Sequence, residues 1–170
     1  QISQSGLFTL SEKGVFDRFR GRIMFPIFHP SGKPIAFGGR IFNHDDPAKY
    51  LNSPETPLYH KGSTLYGLQA TRDSIRKNGS AILVEGYMDF LKLYQGSITN
   101  ILAISGTAFT KEHTSSLHRI TKKVVLLYDG DDAGANAVIK AGWILLKGDL
   151  DPLVVRPPNG LDPDDWIDKA

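Results

Sequence analysis

The sequence contains no cysteine. Disulfides and thiolate-type zinc sites are therefore excluded for these 170 residues, a composition that fits a reducing compartment. No apolar run approaches the length of a membrane span, and no basic-then-apolar leader opens the chain. There are five histidines and no convincing ligand pair; His113 and His118 are five residues apart and leave one helical face. No Ser-His-Asp arrangement is readable. Net charge is small as well, +2, but it is unevenly spread. Residues 1–79 hold eleven Lys/Arg against six Asp/Glu, a balance of +5, and residues 80–170 hold nine against twelve, a balance of −3. A basic half beside an acidic half suits an enzyme that grips a polyanion with one and holds metal with the other. Charges spread for solubility alone give the same totals. With 41% hydrophobic and 22% charged residues there is material for a core, in one compact unit or two small ones.

What the chain does have is a run of five apolar or aromatic residues, Val124 to Tyr128, leading into Asp129-Gly130-Asp131-Asp132-Ala133-Gly134. The run is short and β-branched at its start, so it predicts a strand buried on both faces. The acids then fall where a strand ends and a loop opens, the place where open α/β sheets bind ligands. Three carboxylates in four residues repel one another unless they are solvated or a cation sits between them. A hard divalent ion, Mg²⁺ or Mn²⁺, prefers such oxygen clusters. A polar turn after a core strand would use the same residues. Upstream, Ile82-Leu83-Val84-Glu85-Gly86 repeats the pattern. Two parallel strands would bring Glu85 and Asp129 to one sheet edge. Asp89 either shares a face with Glu85 or serves a helix's first turn.

The pattern from residue 80 onward reads strand, helix, strand, helix, strand, helix, strand. The strands are expected at Ala81–Val84, Ile101–Ile104, Val124–Tyr128 and Leu153–Val155. The helices are expected near Asp89–Tyr94, Lys111–Ile120 and Ala135–Leu146. Such alternation predicts an α/β fold, a mostly parallel sheet with helices on both faces. Before it, Gln1 to Gly14 is weakly patterned and reads as an arm. Arg22–Phe28 and Pro34–Phe42 read as a hairpin around Pro30-Ser31-Gly32-Lys33. Gly38-Gly39 suggests a bulge or a close backbone approach. Asn43 to Gly67 is loop by composition, and a loop this long is more often functional than idle. Leu68–Lys77 reads as a helix capped by Asn78-Gly79. The division is placed there: a smaller basic N-terminal α+β subdomain at 1–79 and an acidic subdomain at 80–170.

Glu85-Gly86-Tyr87-Met88-Asp89 followed by Asp129-Gly130-Asp131-Asp132-Ala133-Gly134 resembles the Toprim (Rossmann-like) domain of bacterial primases, topoisomerases and some nucleases. RFRGRIMFPI, FGGR, KYLNSPET and HKG upstream resemble the RNA polymerase domain of DnaG-type bacterial primase in particular. The motifs occur in the family's order from about Phe16 to Trp166. The resemblance implies RNA primer synthesis on a single-stranded DNA template from ribonucleoside triphosphates, by metal-dependent nucleotidyl transfer. It implies two or more Mg²⁺ or Mn²⁺ ions on Glu85, Asp129, Asp131, Asp162 and Asp164, with Glu85, Asp129 and Asp131 as the catalytic set. Locally, Asp162-Pro163-Asp164-Asp165 is also an ordinary helix start. Arg22, Arg40, Lys49, Asn52 and Lys61 would border the site and hold template or nucleotide. The family also implies a cytoplasmic place at the replication fork, with no membrane. It implies a separate zinc domain and a helicase-binding domain, so the chain reads as part of a longer protein. A nuclease or topoisomerase would share the acids, an aspartyl phosphatase could use Asp129 as nucleophile, and a non-catalytic DNA or nucleotide module would need no carboxylate cluster.

Overall fold

The structure, a computed structural model, describes residues 4–42 and 47–169. The chain divides into two compact units, Gln1–Lys61 and Gly62–Ala170. The first is built of antiparallel strands. β1 (Phe8–Ser11) and β2 (Gly14–Asp17) pair as a two-stranded ribbon, where the sequence reading expects only an arm. Both strands are only four residues long and exposed along their whole length; Phe8-Thr9-Leu10-Ser11 alternates apolar and polar residues, Gly14-Val15-Phe16-Asp17 does not. β3 (Arg22–Phe28), β4 (Pro34–Ile41) and β5 (Tyr50–Asn52) form a sheet in the order β3-β4-β5. The predicted β3–β4 hairpin is present, and its turn is closed by His29 N–H to the Lys33 carbonyl at 2.8 Å. At Gly39 the chain makes a close approach rather than a bulge: an added Cβ would lie 3.0 Å from side-chain atoms of Arg22 and Phe19. β5 lies inside the segment expected to be loop; residues 43–46 of that segment, and 1–3 of the expected arm, are outside the described residues.

The second unit is the predicted parallel α/β layer structure. α1 (Leu68–Asn78) leads into β6 (Ser80–Val84), α2 (Tyr87–Gln95), β7 (Ile101–Ala103), α3 (Lys111–His118), β8 (Lys123–Leu126), α4 (Asp132–Lys147), β9 (Asp151–Val154) and α5 (Pro163–Ile167). The strands run parallel in the order β7-β6-β8-β9. Each is followed by a helix because a parallel neighbour can be reached only by a crossover. One core joins Ile75 of α1, Leu117 of α3 and Ala141 and Leu145 of α4 to Ala81, Leu83, Val124 and Leu126 of the strands. The other joins Phe90 and Leu93 of α2 to Val84, Ile101, Ala103 and Leu127, with Trp166 of α5 packed against it. Helices therefore cover both faces, as expected.

Two expectations change. α1 packs with the second unit through Ile75, which is fully buried in its core. The packing boundary thus falls at Lys61/Gly62, before the helix, rather than at 79/80. Asn78-Gly79 does end the helix, with Gly79 at φ 66°, but a helix end need not be a domain end. Without α1, the described part of the first unit carries strands and no α-helix, so it is β rather than α+β. The sheet's outer strand β9 and the outer side of α4 leave Leu153, Val154, Ile139, Trp143 and Leu146 exposed.

Candidate functional site

Glu85 is the first residue after β6, and Asp129 lies three beyond the end of β8. The register pairs Leu83 with Leu126 in parallel. Both acids therefore leave the same carboxyl edge of the sheet, where no further strand residue shields them. Asp162 reaches that edge from farther away. After β9 the chain makes a 3₁₀ turn over Pro158–Gly160, and Gly130 N–H donates to the Leu161 carbonyl at 3.2 Å. The two loops touch so closely that a Cβ on Gly130 would lie 2.7 Å from the Gly160 Cα and 2.9 Å from the Leu161 oxygen. Only glycine at 130 permits this contact, which brings the third acidic segment to the first two. Gly134 has a parallel reason: a Cβ there would sit 2.2 Å from the Asp129 carbonyl oxygen. The glycines of the Asp129–Gly134 motif are thus fixed by packing against the acid-bearing backbone.

The acids feel one another. Burial raises Asp129 to about 7, and Asp89, Glu85, Asp162 and Asp131 add to the rise by repulsion. Glu85 is raised too, chiefly by burial, opposed by the Asp129 N–H and reinforced by Asp89, Asp131 and Asp162. Asp89 is 7% exposed and is raised to about 6, first by burial, against a hydrogen bond from Gly86 N–H to its Oδ2 at 2.9 Å. Asp164 and Asp162 repel it further. Asp89 therefore does both things its position allows: it caps the first turn of α2 and it faces the acids. Asp131 is the N-cap of α4, its Oδ1 accepting from Gly134 N–H at 2.7 Å, and it is exposed. Carboxylate oxygens of Asp162, Asp164 and Asp165 lie within 4.8 Å of one another. Among the described residues Glu85 Oε1 is buried with no hydrogen-bond partner, and so is the Tyr128 hydroxyl. Burial, then the Glu85 charge, pushes the Tyr128 phenol up. Among the described residues the carboxylates close enough together to hold one ion are those of Asp162, Asp164 and Asp165; Glu85, Asp89, Asp129 and Asp131 join the same acidic edge through mutual repulsion, and a hard divalent cation suits such an oxygen-rich cluster.

All five acidic candidates thus gather in the second unit. Asp89 and Asp165 belong with them; the sequence offered Asp89 only as one of two readings and Asp165 only as a helix-start acid. Tyr128 was legible only as the end of an apolar run.

The basic candidates lie in the first unit and do not share one face. Arg40 pairs across the ladder with Tyr50, its guanidinium 5.7 Å from the ring centroid and 3.3 Å from the hydroxyl. Tyr50 and Asn52 alternate on that same face. Asn52 offers its carbonyl to Arg18 Nε at 3.2 Å. Arg22, opposite Ile41 in the register, lies on the other face. Its Nη1 donates to the carbonyls of Gly39 at 3.3 Å and Ala48 at 2.9 Å, tying strands together. Lys49 is exposed just before β5. Lys61 opens a 3₁₀ turn and its N–H donates to Glu55 Oε1 at 2.8 Å. Among the described residues no helix is long and apolar enough to cross a membrane.

Two family models match the chain: DNA primase catalytic core, N-terminal domain, over residues 1–72, and Toprim-like over residues 82–167. A DNA primase of Clostridium acetobutylicum is 43% identical over 170 residues, covering 99% of this chain and 28% of that protein. The chain thus spans under a third of that relative's length. The crystal structure of the zinc-binding and RNA polymerase domains of Aquifex aeolicus primase superposes with a TM-score of 0.92 at 39% identity, covering 98% of this chain and 42% of that one. A structure of the DnaG primase catalytic domain bound to single-stranded DNA gives 0.89 at 39% identity, covering 99% and 53%.

Proposed function

Because the chain belongs to the DnaG-type bacterial primase catalytic core, with a Toprim-like second unit, we propose that it carries the part of a primase that joins ribonucleotides on single-stranded DNA. The observation that carries this reading is the acidic edge: carboxylates from three separate loops held together by the Gly130–Leu161 contact, beside an orphaned Glu85 oxygen. A divalent cation bound there, Mg²⁺ or Mn²⁺ and in the family reading two or more, would polarise a primer 3′-hydroxyl and offset triphosphate charge. The chain's own residues do the rest. Glu85, Asp129, Asp131, Asp162 and Asp164 would hold the ions. Glu85 Oε1, without a partner among the described residues, would accept a hydrogen bond from the attacking hydroxyl. Asp89 and the Asp131 cap fix the two loops. Arg40, Lys49, Asn52 and Lys61 hold phosphates of template or nucleotide, and Arg22 serves mainly to brace the sheet that carries them. Division of labour between a basic N-terminal part and an acidic second part belongs to the same proposal.

The partners proposed are single-stranded DNA, ribonucleoside triphosphates, the RNA primer, and a replicative helicase met through residues outside this chain, at the bacterial replication fork. A nuclease or topoisomerase would also use the acids, but residues 1–72 match a primase core. Labelled ribonucleotide incorporation on a single-stranded template, with Mg²⁺ and with chelator, tests the reading. Metal-dependent primers that vanish in Asp129→Ala are expected. Template nicking without synthesis would replace this reading with the nuclease one.

A further inference from the structure

The second unit has a groove of about 520 Å³ between α3 and the end of α4 that nothing above uses. Lys111 and His118 of α3, its cap Arg119 and Lys147 of α4 line it, and no carboxylate is among the lining residues. Thr114 and Ile144 give it an apolar part. His118, Arg119 and Lys147 lie where α3 and α4 lead back to the starts of β8 and β9, at the sheet edge opposite the acids. We propose that this groove docks an acidic segment of a partner protein, one with carboxylates at both ends of a short apolar stretch.

The groove follows from a close contact of two helices. A Cβ on Gly148 would lie 2.2 Å from Thr114 Cγ2, so the end of α4 meets α3 directly. Its cations are not neutralised from within. Among the described residues the side chains of Lys111, Arg119 and Lys147 make no ion pair. Asp149, next to Gly148, is held instead by Lys122 at 2.5 Å and His118 at 3.6 Å. Arg119 and Lys147 stand at helix C-termini, where the dipole favours a cation, but Lys111 stands in the first turn of α3, where it does not. The helix therefore gives no reason for Lys111, and an anionic partner does. Spacing then selects the partner. Lys111 and Arg119 are eight residues apart along α3 and its cap, a rise of about 12 Å, beyond the reach of one phosphate or one carboxylate. An extended peptide covers that distance in about four residues, with an acid at each end and apolar side chains over Ile144. A nucleic-acid strand has the charge, but strand sites combine cations with aromatic side chains on which bases stack, and no aromatic lines this groove. An apolar centre inside a polar rim is the anatomy of a protein interface.

Fluorescence anisotropy tests this with a labelled peptide carrying aspartate pairs on either side of a leucine-containing centre about four residues long. The same peptide with serine for every aspartate, a labelled single-stranded oligonucleotide, and inorganic phosphate as competitor are measured beside it. Lys111→Glu and Arg119→Glu change exposed side chains, so the fold is retained, and Lys13→Glu makes the same charge change in the first unit. Affinity for the aspartate peptide is expected to fall about fivefold in each groove variant, from loss of an exposed ion pair and gain of repulsion. The two together should give about twenty-five-fold, since the sites are far enough apart to add. Lys13→Glu should bind the peptide as the wild type does, and Mn²⁺ affinity should be the same in all. A wild type that ignores the aspartate peptide, or binds the serine peptide equally, overturns the proposal, as does an equal loss in Lys13→Glu. Full displacement by phosphate makes the groove a plain anion site and overturns the peptide assignment. A fall in oligonucleotide affinity with peptide affinity unchanged makes it a strand contact and overturns it too.

Discussion

Gly130→Ala removes no charge, yet it should disable the acidic edge. The added methyl would stand 2.7 Å from the Gly160 Cα, and ordinary contact begins at 3.4 Å, so the two loops must part by 3.4 − 2.7 = 0.7 Å. The obstacle is backbone, with no flexible side chain to swing away. Parting the loops also strains the 3.2 Å bond from Gly130 N–H to the Leu161 carbonyl. Overpacking of this kind costs about 1–3 kcal/mol, and the weakened hydrogen bond about 1 kcal/mol more. That is a large share of the roughly 5–15 kcal/mol that hold a domain folded. Asp162 follows Leu161 directly, so a displacement near 1 Å passes to its carboxylate, enough to lower a rate by about a hundredfold. Urea unfolding, Mn²⁺ calorimetry and primer synthesis should therefore all decline together. Asp129→Ala makes the contrast: it should lose synthesis while holding or raising stability, because repulsion is relieved. A Gly130→Ala protein with wild-type urea midpoint and wild-type Mn²⁺ affinity would refute the claim that this loop contact assembles the site.

Three further outcomes follow from the same geometry. Asp129 and Asp89 are raised in the fold, to about 7 and about 6 from an ordinary 3.8. Their contribution to metal-free stability is complete below about pH 4 and is lost as pH rises through 6 and 7; melting in chelator should show that fall, Asp129→Asn should flatten its upper part, and a midpoint rising over this range would contradict the cluster. Tyr128→Phe removes a buried hydroxyl that has no partner among the described residues; its urea midpoint should hold or rise, since an unsatisfied group costs about 1–3 kcal/mol, and a marked loss would mean the hydroxyl is bonded. Arg40→Ala, Lys49→Ala and Lys61→Ala should each weaken single-stranded DNA binding and flatten its salt dependence by roughly 0.7 per phosphate contact; salt titrations identical to wild type in all three would move the template path elsewhere.

The sheet edge was legible because it needs only strand parity and direction. An apolar run ending at Val84 and another ending near Tyr128, each followed by an acid and a glycine, must place Glu85 and Asp129 together if the strands are parallel. The glycines could be read as permissive, but their reason is tertiary: Gly130 answers to Gly160 and Gly134 to the Asp129 carbonyl. Asp162 looked like a helix cap in its own neighbourhood and joins the cluster only through that loop contact. β1 and β2 escaped because each is four residues long with no buried face: the alternation of Phe8-Thr9-Leu10-Ser11 is too short to mark a strand, and Gly14-Val15-Phe16-Asp17 has none. β5 escaped because three residues carry no period. Arg22 read as a template or nucleotide contact from the resemblance; the carbonyls its guanidinium meets are those of Gly39, on the hairpin partner β4, and of Ala48, in the segment before β5 that the sequence marked only as loop.

The parallel order of the second sheet sets a timetable for folding. β3 and β4 meet across a short turn, and such local contacts form early. β6 cannot pair with β8 until α2, β7 and α3 have been threaded between them, and β9 joins later still. Loop closure of that range slows folding, since its entropy is lost before the contact is gained. Glu85 and Asp162 stand at the two extremes of this sequence of events. A cation signal during refolding should consequently lag the recovery of far-ultraviolet ellipticity, making the carboxyl edge a clock that strikes only when the last strand is in place.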